Sequence, residues 1–393
     1  MGKPGKKADV VKLEAKKEKR SLKQEKTTSK RNKKENAGEE DIDAIIAEFS
    51  AKESARTAVT VEVCSQPSAR SNFSLTLLPT GELLMFGGEY CDGASTEMFN
   101  DVHRWNPEKS EWRHVESLNT PPPRCSHQAV CYKDKLYIFG GEYATLDQFH
   151  HYRDLWELDL KSNVWTEVAV TGDAPSARSG HRMLVWRGYL LLFGGFYEAM
   201  REVRWYSDCY VFSFQDRRWS KVPERSSQPK ARSGVSLFLH AQEDAVYVYG
   251  GYSKEKVAGS LKEGKVHEDT WVLQLKPALA SAGGGGKGGQ SALDLTRATW
   301  QKISRKGDFP STRCGSSVVM YKSKALLFGG VCDEEGPRHA LVSTFYNDLF
   351  AFDLDRRRWY KLGLKQKKEK VKASAGERKA ARSLRIKEGE EGE

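Results

Sequence analysis

Five arginines stand at equivalent points of five similar segments, each three residues after a proline: Pro67/Arg70, Pro121/Arg124, Pro175/Arg178, Pro229/Arg232 and Pro310/Arg313. Such a set supports two kinds of chemistry. It can read an acidic peptide by bidentate pairing, or it can tie the chain's own loops through their carbonyls. Recurrence in every segment favours the structural role, because repeat-wide positions normally serve the fold. His127 and His181 follow Arg124 and Arg178 by three residues, where the other segments carry Phe73, Val235 and Ser316. A metal ligand or catalytic base does not explain that alternation, so both read as core histidines. His150-His151 has no third ligand beside it. Glu39-Glu40-Asp41 and Asp333-Glu334-Glu335 lack calcium-loop spacing. No GxSxG, P-loop or HExxH occurs. The expectation is a non-enzymatic chain with no catalytic residue, metal or cofactor.

The elements that place these residues come from a repeat. Gly-Gly recurs as Gly87-Gly88, Gly140-Gly141, Gly194-Gly195, Gly250-Gly251 and Gly329-Gly330, in steps of 53, 54, 56 and 79 residues. Each pair ends an apolar run, such as Leu136-Tyr137-Ile138-Phe139 or Val246-Tyr247-Val248-Tyr249, that reads as a buried strand. An aspartate precedes the next strand: Asp101, Asp154, Asp208, Asp269 and Asp348. Each unit closes on Trp-x-x-aliphatic: Trp112, Trp165, Trp219, Trp300 and Trp359. Asp and Trp are 11 residues apart in four units and 31 in the fourth. That unit therefore carries an insertion containing the Gly-rich stretch 281–290, which is cheap to extend. Four strands per unit, a to d in chain order, make one twisted blade of a radial all-β array. Glycine at the end of strand b allows a sharp turn without a Cβ. Five large tryptophans suit packing between neighbouring blades.

These residues resemble the kelch repeat over roughly Val59 to Leu362. "GGEY" at 87–90 and 140–143, "CSHQAV" at 125–130, "RSGHRM" at 178–183, "GGYSK" at 250–254 and "GGVCDEE" at 329–335 are similar to the kelch domain-containing protein 4 family and its fungal relatives. The resemblance implies a kelch β-propeller with five recognisable four-stranded blades, at about 67–115, 121–168, 175–222, 229–303 and 310–362, within a domain at 58–362. It implies interaction proteins with no assigned chemistry. Some kelch-like propellers are copper oxidases, but no Tyr–Cys–His copper set stands out here.

The net charge of +11 is uneven. Residues 1–36 carry +9 and residues 361–393 carry +5, which leaves the middle slightly acidic. Two tails, 1–38 and 363–393, lack aromatics and are too polar to bury a core, so they are expected to be disordered. The plain role is solvation; the alternative is contact with RNA, a ribosomal surface or an acidic protein. No apolar run reaches 18 residues, so no membrane span is expected, and the N-terminus lacks a signal-type apolar region. Seven cysteines without a CxxC pair read as reduced thiols, which points to cytoplasm and/or nucleus. Between tail and propeller, Ile42, Ile45, Ile46 and Phe49 mark one face of a helix over 39–53. Docking on the chain's own propeller is favoured over a partner-binding role.

Antiparallel strands put the b–c loops and the Pro-x-x-Arg loops on one face. The b–c loops offer a partner-binding set: Glu89, Tyr90, Glu142, Tyr143, Phe149, His151, Phe196, Tyr197, Arg204, Trp205, Tyr252, Asp333 and Glu334. Loops on a rigid scaffold usually carry binding, and Tyr, Trp and Arg make interface hot spots. The leading function is a protein–protein interaction scaffold using this face. The alternatives are a ribonucleoprotein- or ribosome-associated factor tethered by its tails, and a substrate-recognition subunit of a ubiquitin ligase.

Closure is the remaining question. Ala58 to Val63 is placed like a d strand without its Trp, yet blade five already owns a d strand at Trp359. The resemblance implies a sixth repeat after a basic linker. The expectation is therefore a six-bladed design with most of its last blade missing. A closed five-bladed ring is the alternative.

Overall fold

The computed structural model describes residues 42–56, 58–145, 148–199, 202–256, 262–275, 294–335 and 341–363. Both charged tails, Glu39 to Asp41 and the Gly-rich stretch lie outside these residues. Among them the chain is an all-β five-bladed propeller with one short α-helix, Ile42–Ser54. Blade one has strands a Ser74–Leu77, b Leu83–Phe86, c Val102–Asn106 and d Glu111–Glu116. The a strands of blades two to five are Gln128–Tyr132, Arg182–Trp186, Ser236–His240 and Ser317–Tyr321. Each blade pairs in the order a-b-c-d, antiparallel throughout.

Alternate side chains of each strand face the preceding and the following blade, so the b strands, such as Tyr189–Phe193 and Ala245–Tyr249, are apolar on both sides. Four clusters of buried residues result, one at each junction from blade one to blade five. Each is centred on an aromatic pair. The ring just before Gly-Gly meets the tryptophan of the next blade: Phe86 with Trp165 at 5.1 Å, Phe139 with Trp219 at 5.5 Å, Phe193 with Trp300 at 5.5 Å and Tyr249 with Trp359 at 4.9 Å between centroids. Trp165, Trp219 and Trp359 are buried. Trp300 and Trp112 are only half-buried, which corrects the expectation of five equivalent inter-blade tryptophans. Trp112 has no blade before it and packs instead on Trp105 and His103 of its own blade.

The glycine pair answers to the neighbouring blade as much as to its own turn. The backbone oxygen of Arg124 accepts from Gly88 N at 2.9 Å, and a Cβ on Gly87 would sit 2.6 Å from that oxygen. The same contact recurs for Gly140 with Arg178 and for Gly194 with Arg232. With φ near +65° at these positions, only glycine is free of strain.

The strand Thr60–Cys64 differs from the expectation. It pairs antiparallel with strand d of blade one, from Thr60–Glu116 to Cys64–Trp112, as a fifth strand. It is thus not beside blade five. Elsewhere the linker between blades laces the same edge in parallel, as Thr171–Gly172 does on Arg218–Trp219 and Gly307 on Trp359. Blade one has no preceding linker, and the N-terminal strand covers that exposed edge instead.

Two stability changes follow. Trp165→Ala should cost about 3–5 kcal/mol, since it removes a buried indole from a junction. Trp112→Ala, at a half-exposed site, should cost about 1–2 kcal/mol. Chemical denaturation of both variants checks the order; equal losses would mean the two tryptophans share one environment.

Candidate functional site

The five arginines do not point at a ligand. Each guanidinium is spent inside its own blade. Arg124 donates from Nη1 to Gly140 O at 3.1 Å and to Asp154 Oδ1 at 2.7 Å, and from Nη2 to Asp154 Oδ2 at 2.9 Å. Arg178 does the same with Gly194 and Asp208, Arg232 with Gly250 and Asp269, Arg313 with Gly329 and Asp348, and Arg70 with Gly87 and Asp101. A ring lies under four of them: Phe99 below Arg70, Tyr152 below Arg124, Tyr206 below Arg178 and Tyr346 below Arg313, at 3.6–4.0 Å from centroid to guanidinium carbon. Burial opposes ionisation of Asp154, yet the charge and hydrogen bonds of Arg124 hold its carboxyl below the usual range. The aspartate and the aromatic two residues before it thus complete the arginine's site. The aspartates were legible as a repeat, while the aromatic partner was not singled out.

His127 and His181 are fully buried. Burial, with Arg124 beside it, pushes His127 down to about 3. Its Nε2 lies 2.9 Å from Ser74 Oγ of blade one. Both imidazoles are therefore neutral packing groups against the preceding blade.

The b–c connections are not irregular loops. Each is a two-stranded hairpin: Glu89–Cys91 with Thr96–Met98, Glu142–Ala144 with Phe149–His151, Phe196–Ala199 with Glu202–Trp205, Tyr252–Lys256 with Lys262–Val266, and Val331–Glu335 with Leu341–Phe345. Pairing satisfies backbone groups that a long loop would leave to water. The hairpins stand in a crown beside the Pro-x-x-Arg loops. Ladder bridges join the two, as in Ser71–Glu89, Cys125–Glu142 and Ser179–Phe196.

The candidate partner residues divide by exposure. Tyr90, Phe149, Arg204 and Glu334 are exposed. Arg204 pairs with Glu202 at 2.8 Å. Glu89, Tyr143, Phe196, Tyr197, Trp205, Tyr252 and Asp333 are half-buried. Glu89 Oε1 accepts from Asn72 Nδ2 at 2.6 Å, and Asp333 Oδ1 accepts from Ser343 Oγ at 2.6 Å. A ladder of rings links the hairpins of blades two, three and four: His151 to Phe196 at 5.6 Å, Phe196 to Trp205 at 6.2 Å and Trp205 to Tyr252 at 6.2 Å.

Glu142 and His151 are corrections. Both are buried beneath the crown, where the sequence reading expected exposed contact residues. His151 Nδ1 donates to Ser179 Oγ at 2.8 Å, and Nε2 accepts from Glu198 N at 2.9 Å. Burial lowers the His151 ring to about 4. Glu142 Oε2 lies 3.4 Å from His151 Nε2. Burial, reinforced by Glu89 and Glu198, raises the Glu142 carboxyl to about 8. In the hairpin register Glu142, Ala144, Phe149 and His151 share one side and Tyr143 and His150 the other; of the first four, only Phe149, next to the tip, is exposed.

The crown surrounds the mouth of the central channel, a cavity of about 630 Å³. Phe73, His127, Arg182, Tyr252, Ser316 and Asp333 are among its walls. Arg182 was not singled out from the sequence, because its position is not repeated in the other units. Its Nε donates to Val235 O at 3.1 Å. The helix Ile42–Ser54 lies against the rim: Asp43 is 3.5 Å from His150, and Ser50, Glu53 and Ser54 share a cleft with Asn119, Thr120, Trp165 and Glu167. Among the described residues no cluster of three or more His, Cys, Asp or Glu could hold a metal, and no helix is long and apolar enough to cross a membrane. All seven cysteines are unpaired.

The raised carboxyl at Glu142 makes stability depend on pH. The folded state holds that proton more tightly than the unfolded chain, so its contribution is present below about 4.5 and lost as pH rises through about 8. Relative to Glu142→Gln, the wild-type melting temperature should therefore fall between pH 5 and pH 8. Parallel melts of the two proteins check this; a constant offset would place an ionised Glu142 in the fold.

The comparisons agree with this architecture. The family model described as "KLHDC2/KLHL20/DRC7 Kelch-repeats domain" matches residues 35–278. The leucine-zipper-like transcriptional regulator 1 homolog of Drosophila melanogaster is 25% identical over 283 residues, covering 70% of this chain and 25% of that protein. Acyl-CoA-binding domain-containing protein 5 of Arabidopsis thaliana is 30% identical over 48% of this chain and 28% of its own length. Host cell factor 2 of Homo sapiens is 27% identical over 65% and 29%. The chain thus spans less than a third of each of these relatives. With five Gly-Gly blades, an arginine and aspartate locked together in each, and a family model matching more than half its length, the chain belongs to the kelch-repeat family.

Proposed function

We propose that the protein is a non-enzymatic scaffold that binds a protein partner across the hairpin crown. The observation that carries this is the exposure of Tyr90, Phe149 and Arg204 on hairpins that are themselves locked to the blades. Large side chains on a rigid base lose little entropy when they meet a partner. The underlying rings from His151 to Tyr252 keep the crown in one shape. The kelch propeller is a fold typical of protein-interaction domains, and that supports the same reading. The short motifs around the glycine pairs support a likeness to the kelch domain-containing protein 4 type within the family.

Proximity labelling in cells tests the proposal. A triple variant Tyr90→Ala, Phe149→Ala, Arg204→Ala should lose most of the labelled partner set while its melting temperature stays within a few degrees of wild type. If the labelled set is unchanged by the variant but collapses on removal of residues 1–36, binding resides in the basic tail instead.

A further inference from the structure

We propose that the cleft between the helix Ile42–Ser54 and blade two binds an alkylammonium ion, either the lysine side chain of a protein or a free polyamine. The helix docks through one stripe. Ile42, Ile45, Ile46 and Phe49 are buried or half-buried, while Asp43, Ala44, Ala47 and Glu48 between them are exposed. One turn further on, the stripe ends in Glu53 instead of an apolar residue. Glu53 is only 8% exposed. A carboxylate carried to that depth costs free energy unless a cation meets it.

The chain meets that cost only in part. Glu53 Oε1 lies 3.5 Å from Nε of the exposed Arg56, and Oε2 has no hydrogen-bond partner among the described residues. The cleft beside it, about 330 Å³, is also lined by Ser50, Ser54, Thr120, Trp156 and Glu167. Among the described residues no lysine or arginine forms part of its walls. Glu167 ends strand d of blade two, Val164–Glu167. Burial, reinforced by Asp154 and opposed by Arg124, raises its carboxyl. Arg124 is already neutralised by Asp154 at 2.7 Å, so it leaves little charge for Glu167.

The other polar groups of the cleft are acceptors. Ser50 Oγ donates to Ile46 O at 3.0 Å, Ser54 Oγ to Ser50 O at 2.8 Å and Thr120 Oγ1 to Ser117 O at 3.3 Å. With those protons spent, each hydroxyl has only lone pairs left to offer. Ser50 to Ser54 also form the last turn of the helix, where free carbonyls add partial negative charge. Two carboxylates, three hydroxyl oxygens and a helix C-terminus therefore converge on one cavity.

The class of ligand follows from that set. Among the described residues no third His, Cys, Asp or Glu joins the two glutamates to hold a metal ion. Trp156 is held in place by its Nε1, which donates to Asp154 Oδ2 at 2.6 Å. An aromatic wall suits both the methylene groups and the charge of an alkylammonium chain. The volume lies at the low end of the roughly 300–1,000 Å³ typical of ligand pockets, which fits one amine chain. None of the walls belongs to the hairpin crown, so this site is separate from the surface proposed above.

Indole N–H resonances of the full-length, ¹⁵N-labelled protein test this, with Trp156 assigned through Trp156→Phe. The probes are spermidine and an end-blocked Gly-Gly-Lys-Gly-Gly peptide, with the acetyllysine peptide as control. Of the ten tryptophans, Trp156 and Trp165 should shift and saturate with at least one probe. Saturation by spermidine alone identifies a polyamine site; saturation by the lysine peptide identifies a protein lysine. Glu167→Gln, at an exposed position, should keep the wild-type melting temperature and weaken that probe about tenfold. Glu53→Gln should weaken it in the same direction. The proposal is overturned if neither probe saturates, if the acetyllysine peptide binds as well as the lysine peptide, or if Glu167→Gln leaves binding unchanged.

Discussion

In blades two to five, one arginine holds both the blade and its neighbour. Its guanidinium closes the blade's own loops by binding a glycine carbonyl and a carboxylate. Its backbone oxygen, meanwhile, receives the amide of the preceding blade's glycine pair, as Arg124 O does from Gly88 N. A buried charge is tolerated only when it is paired and hydrogen-bonded, and here the pairing partner is fixed by the same turn that the arginine ties down. The glycines, the aspartate and the aromatic shelf all follow from that one requirement. A side chain larger than hydrogen at Gly87 would displace the oxygen that joins two blades.

The same economy explains why the arginines are poor ligand-reading candidates. Nη1 and Nη2 of Arg124, Arg178, Arg232 and Arg313 already reach an acceptor in the blade. Recognition therefore passes to groups the fold does not use. Those groups sit on the hairpin crown and at the channel mouth, where a half-buried Arg182 and Asp333 line the same cavity. A rigid frame below and exposed rings above is a division of labour common to loops on sheet scaffolds.

The inter-blade junctions are apolar and repeat four times, which gives the array its stiffness but leaves two ends. Each end keeps side chains that the inner blades bury, Phe328 at one and Leu75 and Leu77 at the other. The N-terminal strand Thr60–Cys64 shields the outer edge of blade one without covering its flank. The blade edges are thus managed, while the flat faces remain.

The repeat, the strand order within each blade and the structural rank of the arginines were legible from residue spacing alone. Those features recur in register, and recurrence marks positions that every blade needs. Side-chain burial inside a hairpin was not legible, because Glu142, His151 and Phe149 share one side of the hairpin and only depth separates them: the first two lie at its base and are buried, while Phe149 lies next to its tip and is exposed. The role of Tyr152 and Tyr206 as shelves under arginine was equally hidden, since exposure and stacking look alike in a sequence. What the sequence determined was local: which residues turn, pair and repeat. What the tertiary structure decided was which of two faces each side chain meets. It also decided where the strand Thr60–Cys64 goes, because an edge strand joins whichever free backbone ladder the assembled blades bring beside it.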